Sequence, residues 1–205
     1  MDNLAARLAQ VAEVTEAGEW QRHVSARHVG HALEGRAHYG RWGTRGSYPV
    51  LYLGRPRDSV IVEAYRHIVD PLEFDDPADR QAFIATLVPR TLITCSVDVT
   101  NLLDLRTVFG RAQAGLTMQD LTSPTNDRDA YARCRLVAQV AHQMRRHGII
   151  TPAATDLGET LALFTDLVPT AQRPARSRED EPWQQLPSDP RDQEVRHLRV
   201  VRQDD

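Results

Sequence analysis

Residues 39–66 have the sequence YGRWGTRGSYPVLYLGRPRDSVIVEAYR, which combines three local patterns. Glycines flank a tight turn at its start. The apolar run over 48–53 predicts a short strand, because glycine and proline follow it. Asp58 or Ser59 then predicts the cap of a helix that extends to about Ile68. The stretch therefore joins a turn, a strand and a helix, and charged residues lie in the first and the last of them.

Two of these charged residues are candidates for catalysis. Arg41 lies in the glycine-flanked turn, and Glu63 follows 22 residues later, beside the apolar stripe of the predicted helix. A carboxylate there costs free energy unless it is paired or functional. An arginine fork that binds phosphate and a carboxylate that stabilises an oxocarbenium-like ribosyl centre can together cleave a nucleotide glycosidic bond. The alternative is a turn arginine paired with an aspartate, and an exposed helix glutamate paired with Arg66 or another arginine.

The composition indicates a globular protein of one domain. The chain has 205 residues, of which 41% are hydrophobic and 26% charged. Arginine accounts for all 25 residues that carry a permanent positive charge, so each of these side chains has a planar guanidinium group suited to phosphate. The net charge of −3 disfavours general nucleic-acid binding. Two cysteines without paired spacing, and the lack of an apolar run of about 18 residues, predict a cytoplasmic protein without a membrane segment.

The remaining patterns divide the chain into three expected parts. Residues 1–19 are expected to form an N-terminal helix, residues 20–169 a catalytic domain, and residues 170–205 a loosely held polar tail. Within this tail, Val195–Val201 is expected to form either a short terminal edge strand or a partner-binding segment. Within the domain we expect strands at 20–25, 91–99, 149–151 and 160–167, helices at 76–88 and 129–147, the latter ended by Gly148, and turns at 28–39 and 101–105. This irregular mixture predicts an α+β fold with an antiparallel or mixed sheet.

Several short motifs carry a family resemblance. They are WQRHVS at 20–25, HALEGRAHYGRWGTRG at 31–46, YPVLYLG at 48–54, DVTNLLDL at 98–105, DAYARCR at 129–135, GIITPAAT at 148–155 and TLALF at 160–164. In this order, from Trp20 to Val168, the chain resembles the RES-domain toxins, a family named after an arginine, a glutamate and a serine. The resemblance implies an α+β fold similar to ADP-ribosyltransferases, with a mixed-sheet core, surrounding helices and a cleft for NAD.

The resemblance also implies the site residues. Arg22, Arg41, Tyr52 and Glu63 match the family pattern, and His23 stands where a tyrosine often follows the first arginine. The implied catalytic residues are Glu63, Arg41 and Tyr52. The implied NAD-binding residues are Arg22, His23, Arg41 and Tyr52, and no metal is implied. For Tyr52 the alternative is a half-buried aromatic residue of the strand.

Activity and partners follow from the same resemblance. Family members consume NAD by phosphorolysis or hydrolysis, or transfer its ADP-ribose to a target, and a small antitoxin protein usually neutralises them. We therefore expect NAD as substrate, inorganic phosphate as a candidate co-substrate, and an antitoxin as partner. A homodimer and a toxin–antitoxin hetero-oligomer are both compatible with this expectation, whereas membrane association and direct DNA binding are not expected.

The chain departs from the family pattern at two places. GRWGTRG stands where GRWNPPG-like turns are common. The family serine corresponds to Ala132 if YARCR is aligned with the family motif, and to Ala153 if ITPAA is aligned with it. Neither residue has a hydroxyl group. The nearby residues that could supply one are Thr151 and Thr155. These departures keep two alternatives to NAD cleavage open: an ADP-ribosyltransferase that modifies a macromolecule, or an impaired domain that binds NAD or an antitoxin without turnover.

Overall fold

The structure is a computed structural model that describes residues 2–192. The helices are α1 (Asp2–Leu8), α2 (Arg57–Ile68), α3 (Pro77–Ala85), α4 (Val108–Ala114), α5 (Met118–Thr122) and α6 (Arg128–Gln143). The strands are β1 (Glu13–Ser25), β2 (Val50–Arg55), β3 (Arg90–Asp104), β4 (Gly148–Pro152), β5 (Glu159–Phe164), β6 (Ala175–Arg176) and β7 (Glu181–Trp183). Over the described residues, no helix has both the length and the apolar character needed to cross a lipid bilayer.

The five long strands pair in a closed cycle. β1 pairs with β2, β2 with β5, β5 with β4, β4 with β3, and β3 returns to β1. The pairing between β3 and β4 is parallel, whereas β6 and β7 add antiparallel pairings to β3. This mixed sheet with helices packed around it confirms the predicted α+β fold.

The longest ladder joins β1 to β3. It runs antiparallel from Glu13 opposite Leu103 to Ser25 opposite Arg90. Trp20 is fully buried on this ladder, and its partner is the buried Cys95. The apolar interior therefore fixes the middle of β1, and the following residues of the same strand reach the region where the polar candidates gather.

Several expected strands and one expected cap are present. The stretches predicted at 20–25 and 91–99 lie within β1 and β3, and those at 48–53 and 149–151 overlap β2 and β4. Asp76 caps α3 as predicted, because its carboxylate accepts a hydrogen bond from the Ala78 N–H at 2.6 Å.

The predicted helix over 1–19 is wrong beyond Leu8. The chain enters β1 at Glu13, and residues 13–19 pair with β3. Glu16 is buried in this strand, where its carboxylate forms an ion pair with Arg55 at 2.7 Å. The apolar spacing at the N-terminus fits a helix only over its first turns, and pairing with β3 then determines the backbone.

Three further boundaries differ from the sequence expectation. α2 begins at Arg57 after Pro56, and neither Asp58 nor Ser59 caps it. Asn101 does not start a turn: it adopts a left-handed conformation with φ of 56° and the strand continues to Asp104. α6 ends at Gln143, so Gly148 opens β4 rather than ending the helix.

Residues 170–192 are not a loosely held tail. β6 and β7 extend the sheet from the edge of β3, and Trp183 is only 4% exposed. Trp183 packs into an apolar cluster with α2 and α3, which includes Val60, Ile84 and Leu186. One aromatic anchor thus holds this polar segment against the domain. The strand predicted at Val195–Val201 lies outside the described residues.

Candidate active site

A cavity of about 470 Å³ lies between β1, the turn before β2, α2, α6 and the loop from β4 to β5. This volume is within the range of small-molecule pockets. The five residues predicted to bind or cleave NAD all line it: Arg22, His23, Arg41, Tyr52 and Glu63. The fold therefore brings together residues that are far apart in the sequence, while their chemical roles stay predictions.

Glu63 is a carboxylate in the cavity wall. It lies on α2, and 38% of its side chain is exposed. Its Oε1 atom is 3.7 Å from Nε2 of His67, one turn further along the helix, which is ion-pair distance but long for a hydrogen bond. Burial raises the pKa of Glu63, but the interaction with His67 and the positive charge of Arg22 outweigh this effect, so the pKa lies below its ordinary value. Glu63 is ionised at neutral pH.

Arg66 is not the partner of Glu63. Its Nη1 donates to the Ala154 carbonyl, and its Nη2 donates to the carbonyls of Thr122 at 3.0 Å and Ser123 at 3.3 Å. The expected alternative of an ordinary Glu63–Arg66 pair is therefore wrong. Arg66 also lines the cavity and adds a fixed positive charge to its wall.

Arg41 uses part of its guanidinium group for hydrogen bonds within the protein. Its Nη1 donates to the Asp120 carbonyl and to the Ser123 hydroxyl at 3.0 Å, while Nη2 donates to the Ser123 carbonyl at 2.7 Å. The guanidinium also lies over the ring of Tyr131, 4.4 Å from its centroid. Nε–H and the second Nη2–H remain for a ligand. Arg41 thus holds the C-terminal end of α5 and keeps only part of its fork for an anion.

Arg22 has more of its fork free. Its Nη1 donates to the Ala32 carbonyl at 3.1 Å, and no other hydrogen bond to it is present among the described residues. Burial lowers the pKa of Arg22, and the nearby Glu63 opposes this effect. A half-buried guanidinium with unused N–H groups in a cavity wall is suited to a phosphate or carboxylate ligand.

Tyr52 supports the turn before its own strand. Its hydroxyl oxygen accepts a hydrogen bond from the Trp42 N–H at 3.0 Å. Burial raises the pKa of Tyr52, so the phenol is neutral and its O–H can still donate into the cavity. A Cβ atom on Gly40 would lie 2.7 Å from this hydroxyl, which explains why glycine suits that position.

We expect Tyr52→Phe to lower the free energy of unfolding by about 1–3 kcal/mol, because the Trp42 N–H loses its acceptor. Chemical denaturation of both proteins measures this change. Tyr39→Phe is the matched control, since Tyr39 is 65% exposed and its hydroxyl has no protein partner in the described part of the chain. Equal stability of Tyr52→Phe and wild type would show that the hydroxyl does not support the turn.

His23 is held by two residues that sequence reasoning did not connect with it. Nε of Arg90 donates to Nδ1 of His23 at 2.8 Å, and the imidazole stacks on Trp183 with a centroid distance of 6.3 Å. Burial lowers the pKa of His23 to about 4, and the charge of Arg90 acts in the same direction while Glu63 opposes it. His23 is therefore neutral at pH 7.

The structure distinguishes the two candidate positions for the family serine. Ala132 is exposed on α6, whereas Ala153 is buried between two residues that line the cavity. Hydroxyl groups lie close by: Oγ1 of Thr155 is 2.7 Å from Oγ of Ser59, and both residues line the cavity, as does Thr151. Neither alanine lines the cavity itself, although both motifs contribute neighbouring residues to its wall.

Sequence reasoning missed several polar residues of the site. Ser123 binds Arg41 and Arg66 through its carbonyl, and Arg135 lies near the ring of Tyr39 at the cavity, 5.8 Å from the centroid. The contacts of Ser123 join residues that are 57 and 82 positions apart in the sequence, so no local sequence pattern predicts them. Within residues 2–192, no group of three or more histidine, cysteine or acidic side chains is arranged for a metal ion.

Comparison with known proteins places the whole fold in one family. The model of the RES domain family matches residues 11–185. Among solved structures, the chain is similar to a chain of the crystal structure of the M. tuberculosis MbcT–MbcA toxin–antitoxin complex, with a TM-score of 0.73 and 21% identity, over 96% of this chain and 98% of that chain. No curated protein sequence matches the chain. The family match includes β1 from its first residue and extends through β7, and the chain belongs to the RES domain family.

Proposed function

We propose that this protein is a toxin that cleaves the nicotinamide–ribose bond of NAD. The observation that carries the proposal is a single cavity in which the ionised carboxylate of Glu63 faces several guanidinium groups. NAD has the complementary charge pattern, because its pyrophosphate is anionic and its reacting ribosyl carbon becomes cationic in the transition state. Membership of the RES domain family supports the proposal.

In the proposed reaction, the bond between the ribose C1 atom and the nicotinamide nitrogen breaks. The electron pair of that bond stays on nitrogen, so neutral nicotinamide leaves and positive charge develops on the ribosyl centre. Glu63 stabilises this charge, and its lowered pKa keeps it ionised for the task. An oxygen of water or inorganic phosphate then bonds to C1, giving ADP-ribose with release of a proton, or ADP-ribose-1″-phosphate. The proposed mechanism uses no metal.

The guanidinium groups are proposed to bind the phosphates. Arg22 offers the larger free part of a fork, and Arg41 adds its remaining N–H groups. Tyr52 is proposed to donate its O–H to a ribose hydroxyl, since its oxygen already accepts the Trp42 N–H. These contacts hold NAD so that its glycosidic carbon meets Glu63.

The first experiment is NAD consumption by the purified protein, with and without inorganic phosphate, with products resolved by chromatography. We expect NAD to disappear and nicotinamide to form. ADP-ribose-1″-phosphate that appears only with phosphate identifies a phosphorylase, and ADP-ribose in both conditions identifies a hydrolase. Label transferred from NAD to a macromolecule identifies an ADP-ribosyltransferase. Binding of NAD without turnover in any condition contradicts the proposal and makes the alanine at the family serine position, Ala132 or Ala153, the leading explanation.

We also propose that a small antitoxin protein binds this chain in the cytoplasm, where NAD is available. The fold likeness to a chain of a toxin–antitoxin complex supports a partner of this kind. Growth arrest on expression, relieved by Glu63→Gln and by co-expression of a candidate antitoxin, is the expected result. Arrest that persists in Glu63→Gln would show that toxicity does not depend on the proposed chemistry.

A further inference from the structure

Three neighbouring strands place His23, Arg90 and Trp183 on one face of the sheet. His23 of β1 lies opposite Leu92 of β3, and Arg90 lies two residues from Leu92, so the side chains of His23 and Arg90 are diagonal neighbours. Arg90 lies opposite Trp183 of β7 in the other direction. β7 therefore completes a unit in which the imidazole has a cation on one side and an aromatic ring against its face.

The contacts of this unit determine which imidazole nitrogen carries the proton. Nε of Arg90 is a donor without acceptor capacity, and it lies 2.8 Å from Nδ1 of His23. Nδ1 must therefore accept, and the proton of a neutral ring must reside on Nε2. Nε2 has no hydrogen-bond partner among the described residues. Its surface is not fully covered by the protein either, since only Arg7 Nε and Trp20 Nε1 are both fully buried and unpartnered among those residues. Because the ring lines the cavity, Nε2–H is available to a ligand there.

We infer that Arg90 is a positioning residue: it holds His23 as the neutral tautomer with its proton on Nε2, and this N–H donates a hydrogen bond to a substrate oxygen beside Glu63. The inference rests on the proposed function for the identity of the substrate. Arg90 itself does not line the cavity, so it acts through His23. Trp183 restricts the ring by stacking against it.

The neutral state of His23 has a consequence for Glu63. An imidazolium at this position would attract the carboxylate and reduce the negative charge available to the ribosyl centre. The charged and titratable groups that act on His23 are Glu63, which favours protonation, and Arg90, His67 and Arg22, which oppose it. Arg90 makes the direct contact within this set, so its removal shifts the balance towards the imidazolium.

The tautomer can be measured directly by long-range proton–nitrogen NMR of protein labelled with ¹⁵N-histidine. In wild type we expect Nε2–H and an unprotonated Nδ1 down to about pH 5, and a shift of the Nε2–H signal when NAD is added. In Arg90→Leu we expect the pKa of His23 to rise above about 4, since the opposing charge of Arg90 is gone while burial still lowers it, and we expect both tautomers to be present.

Kinetics test the link to the substrate. KM of Arg90→Leu for NAD is expected to rise by about 2–10-fold at pH 8, the effect of one hydrogen bond. As the pH is lowered, kcat/KM of the variant is expected to fall at a higher pH than that of wild type, because its imidazolium forms at a higher pH. Arg57→Leu is the matched control: Arg57 lies 5.9 Å from the Trp183 ring and pairs with Glu181, but it does not contact His23. This control should leave the tautomer and the pH profile unchanged.

The outcomes separate this inference from the proposed function. A wild-type His23 that carries its proton on Nδ1, or that titrates near pH 6.5, overturns the inference even if Arg90→Leu fails to fold. If wild type shows the expected tautomer but Arg90→Leu changes neither KM nor the pH profile, the proposed hydrogen bond from His23 to the substrate is overturned. The expected tautomer, its loss in Arg90→Leu and a shift of Nε2–H with NAD support the inference, even where wild type does not turn NAD over and the proposed function fails.

Discussion

Glu63→Gln is expected to lower kcat for NAD cleavage by on the order of 10³-fold, with little change in KM. Glutamine keeps the size of the side chain but removes the negative charge that faces the developing oxocarbenium centre. In the proposed complex the guanidinium groups bind the phosphates, so we expect the ground state of NAD to be held without this carboxylate. Steady-state kinetics, with NAD binding measured by calorimetry on the same variant, separate the two effects.

The matched control is Glu34→Gln. Glu34 is exposed, pairs with His31 at 2.8 Å much as Glu63 pairs with His67, and does not line the cavity. Its replacement should leave kcat and KM unchanged. Unaltered turnover in Glu63→Gln would remove this carboxylate from the mechanism. A raised KM at constant kcat would instead make it a binding residue.

Trp183→Ala is expected to lower the free energy of unfolding by about 3–5 kcal/mol, the usual cost of removing a large buried aromatic side chain. The residue is 4% exposed and packs on α2 and α3, so truncation leaves a cavity under β7. Denaturant titration measures the change. We also expect the activity of the folded variant to fall, because His23 loses the ring on which it stacks.

Val88→Ala is the control for this truncation, because Val88 is an apolar residue with 65% exposure. Its stability should stay within about 0.5 kcal/mol of wild type. A similarly small effect in Trp183→Ala would mean that Trp183 does not anchor residues 170–192 to the domain.

The sequence predicted the elements whose patterns are local. The β-branched and apolar residues over 48–53 and 91–99 indicate strands, and the pair Asp76-Pro77 marks the start of a helix, because these preferences act within a few residues. The start of β1 was missed because the apolar spacing at 4, 8, 11 and 14 fits a helix, and only pairing with the distant β3 reveals a strand. The segment at 170–192 was misread because its composition is polar and one tryptophan anchors it.

The candidate site was predicted in part for the same reason. Arg41 and Glu63 are recognisable from a glycine-flanked turn and from the face of a helix, both of which are local features. Pairing of Glu63 with Arg66 was the alternative to a functional role, because residues three positions apart on a helix are neighbours, but Arg66 donates to the carbonyls of Thr122 and Ser123 instead. Arg90 could not be connected with His23 before the register of β1 and β3 was known.

The ladder between β1 and β3 also sets the order in which the protein becomes active during synthesis. Its paired residues are 65 to 90 positions apart in the chain, so Arg22 and His23 gain their final surroundings only after the ribosome has made β3. The cavity wall from Thr151 to Thr160 and the Trp183 anchor follow later still. A nascent chain that already contains Glu63 and Arg41 therefore lacks the complete proposed NAD site, and a cell is exposed to the proposed activity only after the chain has been translated beyond Trp183 and has folded.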